Sequence, residues 1–284
     1  MTVTTSDPIE TALRSALREM GSVLVALSGG VDSSVVAAVA AQELGTHAAA
    51  ATGVSASLRS EEFASIRRFC ADNGLVHLTV TTDELSVPGY VENSPERCYF
   101  CKNELFGRLA KLAVENGNAY VVDGTTAEDL HGHRPGKRAA DENRVRSPLV
   151  DVGATKNDVR AIARRLNLAV AERPASPCLS SRIAYGVNVT VERLTRVGRA
   201  EAVLRALGFS DLRVRLHDNI ARIEVPKTEL AKAVANAAQI HADLKDLGFI
   251  YVTLDLGGLR SGSLLEVLPT QPTGSSPLTT TSST

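Results

Sequence analysis

Five apolar residues, Val23-Leu24-Val25-Ala26-Leu27, run directly into Ser28-Gly29-Gly30-Val31-Asp32-Ser33-Ser34 and then into an Ala/Val-rich stretch that reaches Leu44. The order predicts a buried strand, a glycine turn and a helix from about Asp32 to Leu44. Such a junction aims main-chain N–H groups and the positive end of a helix at one point, where a phosphate can dock. Gly29 and Gly30 permit positive φ and close backbone approach. Ser28, Ser33 and Ser34 add hydroxyl donors, and Asp32 either caps the helix or holds a magnesium ion beside the phosphates. No lysine follows the glycines, so the loop is not a Walker A motif. The plain alternative is an ordinary glycine turn with Asp32 as its N-cap.

Strand and helix signals alternate beyond this point. Apolar runs at His47–Val54, Leu75–Val80 and Ala119–Asp123 read as strands. Between and after them, helices are predicted from Ser60, as N-cap with Glu61 and Glu62 in the first turn, from Asn103 to Glu115, and from the capping box at Thr155–Asp158 to Leu166. Alternation of this kind implies an α/β fold with a doubly wound parallel sheet and ligands at the carboxyl ends of its strands. The loops after Leu27, Val54 and Asp123 are therefore expected to line the site. From about Thr190 the pattern changes to a helix (Val191–Leu207), strands near 212–216 and 221–225 joined by a turn at His217-Asp218, a long helix (Lys227–Leu247) and a strand (Phe249–Leu254). This is a smaller α+β domain. The expected division is 1–187 for the nucleotide domain, 188–268 for the smaller domain, and a disordered Thr/Ser/Pro-rich tail at 269–284.

Charge and cysteine usage narrow the function classes. The 31 basic and 32 acidic residues give a formal net charge of −1, so no bulk field draws the chain onto nucleic acid or anionic lipid. The first twenty residues scatter Asp7, Glu10, Arg14, Arg18 and Glu19 among apolar ones. That is neither a signal peptide nor a membrane span, and it implies a cytoplasmic protein. In a reducing compartment four cysteines point to metal binding or thiol chemistry before disulfides. Cys98-Tyr99-Phe100-Cys101 places two thiols within reach of one metal centre, and Cys178 supplies a third. Three thiolates suit a [4Fe–4S] cluster with one iron left open, whereas structural zinc normally takes a fourth ligand. A redox pair or two inert thiols remain alternatives for the CxxC alone. Cys70 recurs with Phe63 and Ile66 on one helical face and reads as core.

At Ser28–Ser34 the chain resembles the PP-loop ATP pyrophosphatase superfamily, with its Ser-Gly-Gly-x-Asp-Ser signature. The resemblance implies cleavage of ATP between its α and β phosphates, with AMP left on the substrate as a leaving group. It also implies Gly53 near the adenine, Asp123-Gly124-Thr125 near the ribose or phosphates, and Lys156 near the phosphates. Three further segments, Ser176–Gly186, Arg213–Val225 and Gly248–Gly262, narrow this to a resemblance to the LarE family over roughly residues 10 to 265. Those proteins are the ATP-dependent sulfur transferases of nickel-pincer nucleotide biosynthesis.

That family implies pyridinium-3,5-biscarboxylic acid mononucleotide as the substrate, ATP and Mg2+ as co-reactants, Cys178 and Asp32 as catalytic residues, and a ring-like homo-oligomer. Some members sacrifice the sulfur of the cysteine matching Cys178. With Cys98 and Cys101 added, this chain resembles instead the branch whose three cysteines hold a [4Fe–4S] cluster that relays sulfide from a donor the sequence does not identify. Ser181, Arg182, Arg213 and Arg215 are the candidates for the substrate's phosphate and carboxylates, since guanidinium forks match those anions. Arg213 and Arg215 lie two apart on one strand and share a face. A tRNA thiolation enzyme, an ammonia-using synthetase and a non-catalytic nucleotide module are the competing readings. The charge balance disfavours the first, and the three cysteines disfavour the second.

Overall fold

Both faces of the central strands of the first sheet are apolar, and both are covered. In the computed structural model, which describes residues 7–130, 135–174, 177–260 and 262–267, the chain runs α1 (Pro8–Met20), β1 (Val23–Ala26), α2 (Val31–Leu44), β2 (Ala48–Val54), α3 (Ser60–Asp72), β3 (Val76–Thr81), α4 (Pro88–Val91), α5 (Arg97–Glu115), β4 (Tyr120–Val122), α6 (Pro135–Glu142), α7 (Pro148–Asp151) and α8 (Lys156–Arg165). Its described strands pair parallel in the order β3-β2-β1-β4. Side chains alternate across the pleat. Val23, Val25, Ala48 and Ala50 pack into a core with α1, α2 and α8, while Leu24, Ala49, Ala51 and Val121 meet Phe106 and Leu109 of α5 and Ala139 of α6. The sequence expectation of a doubly wound parallel sheet is met; the central strands β1 and β2 are almost wholly apolar because both their faces are covered, whereas the edge strand β3 carries His77, Thr79 and Thr81 and is partly exposed.

The strand order decides where a ligand goes. From β1 the chain winds outward through β2 to β3, then crosses to β4 on the other side of β1. The loops after β1 and β4 therefore diverge and open a crevice at the carboxyl edge of the sheet, the usual ligand position in such folds. The helix α2 that starts there is buried continuously from Ser33 to Ala40.

The second unit comprises α9 (Val191–Ala206), β5 (Arg213–His217), β6 (Ile220–Glu224), α10 (Leu230–Ala235), α11 (Ala237–Asp246) and β7 (Tyr251–Leu254). Strand β6 pairs antiparallel with β5 and parallel with β7. The expected turn is present, with Asp218 at φ 55°. Val214, Leu216, Ala221 and Ile223 pack with α9 and α11, leaving Arg213, Arg215, Arg222 and Glu224 on the opposite face.

Four local expectations need correction. Helix α3 has Arg59, with no side-chain cap, at its N-cap position, and Ser60 is already helical. The last strand starts at Tyr251, two residues after the expected Phe249. The long helix from Lys227 is interrupted at Asn236, whose side-chain amide donates to the Lys232 carbonyl (2.8 Å); this local bond competes with the helical ladder. Helix α5 begins at Arg97, six residues before Asn103, where the buried Arg97 side chain is tethered to Asn93 and to the Ser180 carbonyl, a partner that no periodicity reveals. The tail at 269–284 lies outside the described residues. Among the described residues no helix is long and apolar enough to cross a membrane.

Candidate active site

The loop after β1 is built as its residue types demand. Gly29 adopts φ 80°, and a Cβ there would stand 2.8 Å from Ile66 Cγ1, so both conformation and space require glycine. Ser33 Oγ donates to the Gly30 carbonyl (3.2 Å), accepts from Ser28 N (3.2 Å) and lies 3.1 Å from Ser28 Oγ. Gly30 occupies the N-cap of α2 without a side-chain cap, which leaves the first amides of the helix open toward the crevice. Asp32 does not cap the helix, contrary to one of its two sequence readings. Its Oδ2 instead accepts from Lys156 Nζ (2.8 Å), while Oδ1 is buried with no hydrogen-bond partner among the described residues, as is Ser34 Oγ.

Lys156 reaches this point from the other side of the crevice. The capping box of Thr155 and Asp158 fixes the start of α8 and thereby the root of the lysine. Its ammonium also donates to Asp129 Oδ2 (2.6 Å). Partial burial works against the charge, but the bonds to Asp129 and Asp32 outweigh it and hold the lysine pKa above its ordinary value. Asp129 shows the converse balance, with burial overcome by Lys156 and Thr126 so that its carboxyl lies below the usual range.

The loop after β4 closes against the same helix end. Asp123 accepts from Thr125 N (3.1 Å), Thr125 Oγ1 (2.6 Å) and Ser147 Oγ (2.8 Å). Its neighbour Gly124 presses on the helix so closely that a Cβ would stand 2.4 Å from Ser33 N. Gly53, at the end of β2, faces Leu105 Cδ1 of α5 at 2.8 Å from where its Cβ would be.

The candidate thiols come from two other segments. Cys98 and Cys101 sit three apart at the start of α5, and Cys178 precedes a short turn (Leu179–Arg182). Cys98 and Cys178 are exposed, Cys101 is partly covered, and Cys70 is buried core as expected. The turn is tied down on three sides. Leu179 N donates to the Ser57 carbonyl (3.1 Å), Tyr90 Oη and Ser180 Oγ lie 2.5 Å apart, and Arg97 Nη1 donates to the Ser180 carbonyl (2.8 Å) and to Asn93 Oδ1 (2.5 Å).

The three thiols share one electrostatic neighbourhood. Burial disfavours the Arg97 charge, yet the fields of Cys178 and Cys98 hold its pKa above the ordinary arginine value. The Cys101 thiol is pushed well up, first by burial and then by Cys178, Glu84 and Cys98. Among the described residues no group of three or more His, Cys, Asp or Glu side chains is gathered as a metal-ion site.

The candidate anion ligands fall into two groups. Arg182 is buried and donates from Nε to Glu201 Oε1 (2.7 Å) and from Nη1 to the Pro177 carbonyl (2.6 Å) and Ser181 Oγ (2.9 Å). Arg215 pairs with the buried Glu224 (2.9 Å) and donates to the Ser181 carbonyl (2.7 Å). These two arginines brace the Cys178 turn. Arg213 makes one side-chain hydrogen bond among the described residues, to the Arg260 carbonyl (3.2 Å), and burial, then the nearby Arg182 charge, lowers its pKa. Its fork is the least committed of the three.

Sequence reasoning missed Tyr90, Arg97, Asp129 and Glu201. Only Glu201 left a trace, as a charged residue on the α9 stripe of Leu194, Val197 and Leu204.

A family model described as asparagine synthase matches residues 5–95, which hold the phosphate loop. A protein of Lactiplantibacillus plantarum named pyridinium-3,5-bisthiocarboxylic acid mononucleotide synthase is 38% identical over 257 residues, spanning 90% of this chain and 93% of that protein. The chain belongs to the LarE family. An uncharacterised protein of Synechocystis is 45% identical over 258 residues, 90% of this chain and 96% of that one. A tRNA-specific 2-thiouridylase MnmA of Beijerinckia indica is 29% identical over 61% of this chain and 49% of its own length. As a LarE-family protein the chain is an ATP-dependent sulfur transferase built on a PP-loop nucleotide domain.

Proposed function

We propose that this LarE-family chain converts the carboxylates of pyridinium-3,5-biscarboxylic acid mononucleotide to thiocarboxylates, consuming ATP to AMP and pyrophosphate. The observation that carries the reading is the Leu179–Ser57 bond, which moors the Cys178 turn to the loop following β2, at the carboxyl edge of the nucleotide sheet. A tRNA substrate has less support, because the thiouridylase likeness covers only 61% of the chain.

Adenylation comes first, since a carboxylate repels nucleophiles and has no good leaving group. In our reading Ser28, Gly29, Gly30, Ser33 and Ser34 receive the β and γ phosphates at the start of α2, Lys156 neutralises their charge, and Gly53 and Gly124 border the adenine and ribose. The orphaned, buried Oδ1 of Asp32 fits a magnesium ligand, so Asp32 would hold Mg2+ there. A carboxylate oxygen of the substrate attacks the α-phosphorus and pyrophosphate departs. Sulfur then attacks the acyl carbon, and AMP leaves with the original oxygen.

Ser181, Arg182, Arg213 and Arg215 are assigned to the substrate's anionic groups, with Arg213 as the primary fork. In this reading Cys98, Cys101 and Cys178 would hold a [4Fe–4S] cluster, for which thiolates are the right donor type, with Arg97 offsetting the negative charge they would carry. Such a cluster supplies an open iron on which sulfide can be held. Cys178 is then a ligand that survives turnover. A cytoplasmic setting and a homo-oligomer belong to the same proposal.

Anaerobic incubation of iron- and sulfide-reconstituted protein with ATP, magnesium and the biscarboxylate nucleotide, followed by mass spectrometry of substrate and protein, tests it. The expected product has oxygen exchanged for sulfur while the protein mass is unchanged. Absence of AMP would refute adenylation, and loss of hydrogen sulfide from Cys178 would replace the cluster with a sacrificial cysteine.

A further inference from the structure

Glu84 belongs to no motif, yet it is 2% exposed. It opens the short turn Glu84–Ser86 between β3 and α4. Burying a carboxylate is costly unless its partners compensate, and here the compensation is one-sided. Oε1 accepts from Ser55 Oγ (2.5 Å) and Ser57 Oγ (3.1 Å), whereas Oε2 is buried without a hydrogen-bond partner among the described residues.

The two serines form the bend that follows β2. Their hydroxyls lie 2.9 Å apart, and Ser57 N donates to Ser55 Oγ (3.2 Å). On one side this bend continues Gly53 and Val54 at the carboxyl edge of the sheet. On the other, the Ser57 carbonyl accepts from Leu179 N, next to Cys178. The short turn that Glu84 opens packs against both α4 and α5, the helix that carries Cys98 and Cys101. A single side chain thus fixes the segment that links the carboxyl end of β2 to the turn that follows Cys178.

We propose that Glu84 is a positioning residue for sulfur transfer: by clamping Ser55 and Ser57 it sets, through the Ser57 carbonyl, where Cys178 stands relative to the activated acyl group. The inference rests on the functional reading above, because it presupposes an adenylated substrate in the crevice. Misplacement by about 1 Å is enough to slow a bond-forming step on the order of a hundredfold.

The test measures the two half-reactions separately in the full-length, reconstituted protein: substrate-dependent pyrophosphate release and thiocarboxylate formation. Glu84→Ala is expected to release pyrophosphate within about threefold of wild type and to lose thiocarboxylate formation by about 10- to 100-fold. Glu84→Gln is expected to recover most of that loss, since its side-chain oxygen accepts from both hydroxyls. Ser57→Ala, which removes one clamp, is expected to slow the same step by less. Equal losses in both half-reactions, no loss in either, or a Gln variant no better than Ala would overturn the assignment. Should Glu84→Ala not fold, Ser57→Ala decides the matter by the same criterion. Wild-type protein that forms no AMP would sink the functional reading itself, a result distinct from an active wild type with an unaffected Glu84→Ala.

Discussion

Replacing Gly124 by alanine isolates the contact that closes the phosphate cradle. No left-handed φ is recorded at this residue, so space decides. The added Cβ would meet Ser33 N at 2.4 Å, Ser33 Cα at 2.7 Å and the Asp32 carbonyl carbon at 2.8 Å, all main-chain atoms of the first turn of α2. Ordinary contact begins at 3.4 Å, so the loop after β4 must retreat by about 1 Å in an interior that is close-packed. Overpacking of this kind costs about 1–3 kcal/mol, which lowers the melting temperature by roughly 2–4 °C per kcal/mol in a chain of this size class. The larger effect is catalytic, because an error of about 1 Å between phosphate loop and substrate costs on the order of a hundredfold in rate.

Differential scanning fluorimetry with and without ATP, together with steady-state AMP formation, reads both effects. Gly107→Ala is the matched control. Its Cβ would lie 3.6 Å from Asn143 Oδ1 within helix α5, so it should stabilise by about 0.5–1 kcal/mol and leave the rate alone. A Gly124→Ala protein as active and as stable as wild type would refute the close approach of the two loops.

Lys156→Met removes the cation between Asp32 and Asp129 and should cut AMP formation by about 10²- to 10³-fold; a pyrophosphate-release assay showing an unchanged rate would remove Lys156 from the site. Glu201 is fully buried among Arg182, Arg59 and Arg205, and breaking such a network should cost about 3–5 kcal/mol in Glu201→Gln. Burial opposes its ionisation, but these arginines prevail and hold its pKa below the ordinary 4.5. Its stabilisation is thus present above that value and lost as pH falls through the lower folded value. Urea unfolding at neutral and acid pH should show the wild-type advantage over Glu201→Gln shrinking only on the acid limb. Burial pushes the Cys70 thiol up to about 11, so iodoacetamide near pH 8 should label the exposed Cys98 and Cys178 and spare Cys70. Equal labelling, read by peptide mass spectrometry, would contradict its place in the core.

Much of the nucleotide half was legible because its signals are local. The apolar run ending at Leu27, the glycine turn and the buried helix to Leu44 follow one another in the chain, and the structure reproduces them almost residue for residue. Thr155–Asp158 was equally plain, since a capping box closes within four residues. The same locality misled elsewhere. Asn236 breaks what reads as one helix, and Cys98 and Cys101 lie on a helix whose first residue is anchored by Asn93, just past α4, and by the Cys178 turn.

Local pattern thus determines the elements, the phosphate loop and the candidate thiols, because propensity, capping and pleat alternation act over a few residues. The order β3-β2-β1-β4, which brings Gly124 against Ser33 and Lys156 against Asp32, is decided by which strands bury one another's edges across the whole sheet. So are the roles of charged residues. Arg182 and Arg215 look like free anion forks in one dimension, and only the fold pairs them with the buried carboxylates of Glu201 and Glu224. Glu84 carries no local signal at all, since its meaning lies in a bend and a turn that the chain places far apart and the fold brings to one carboxylate.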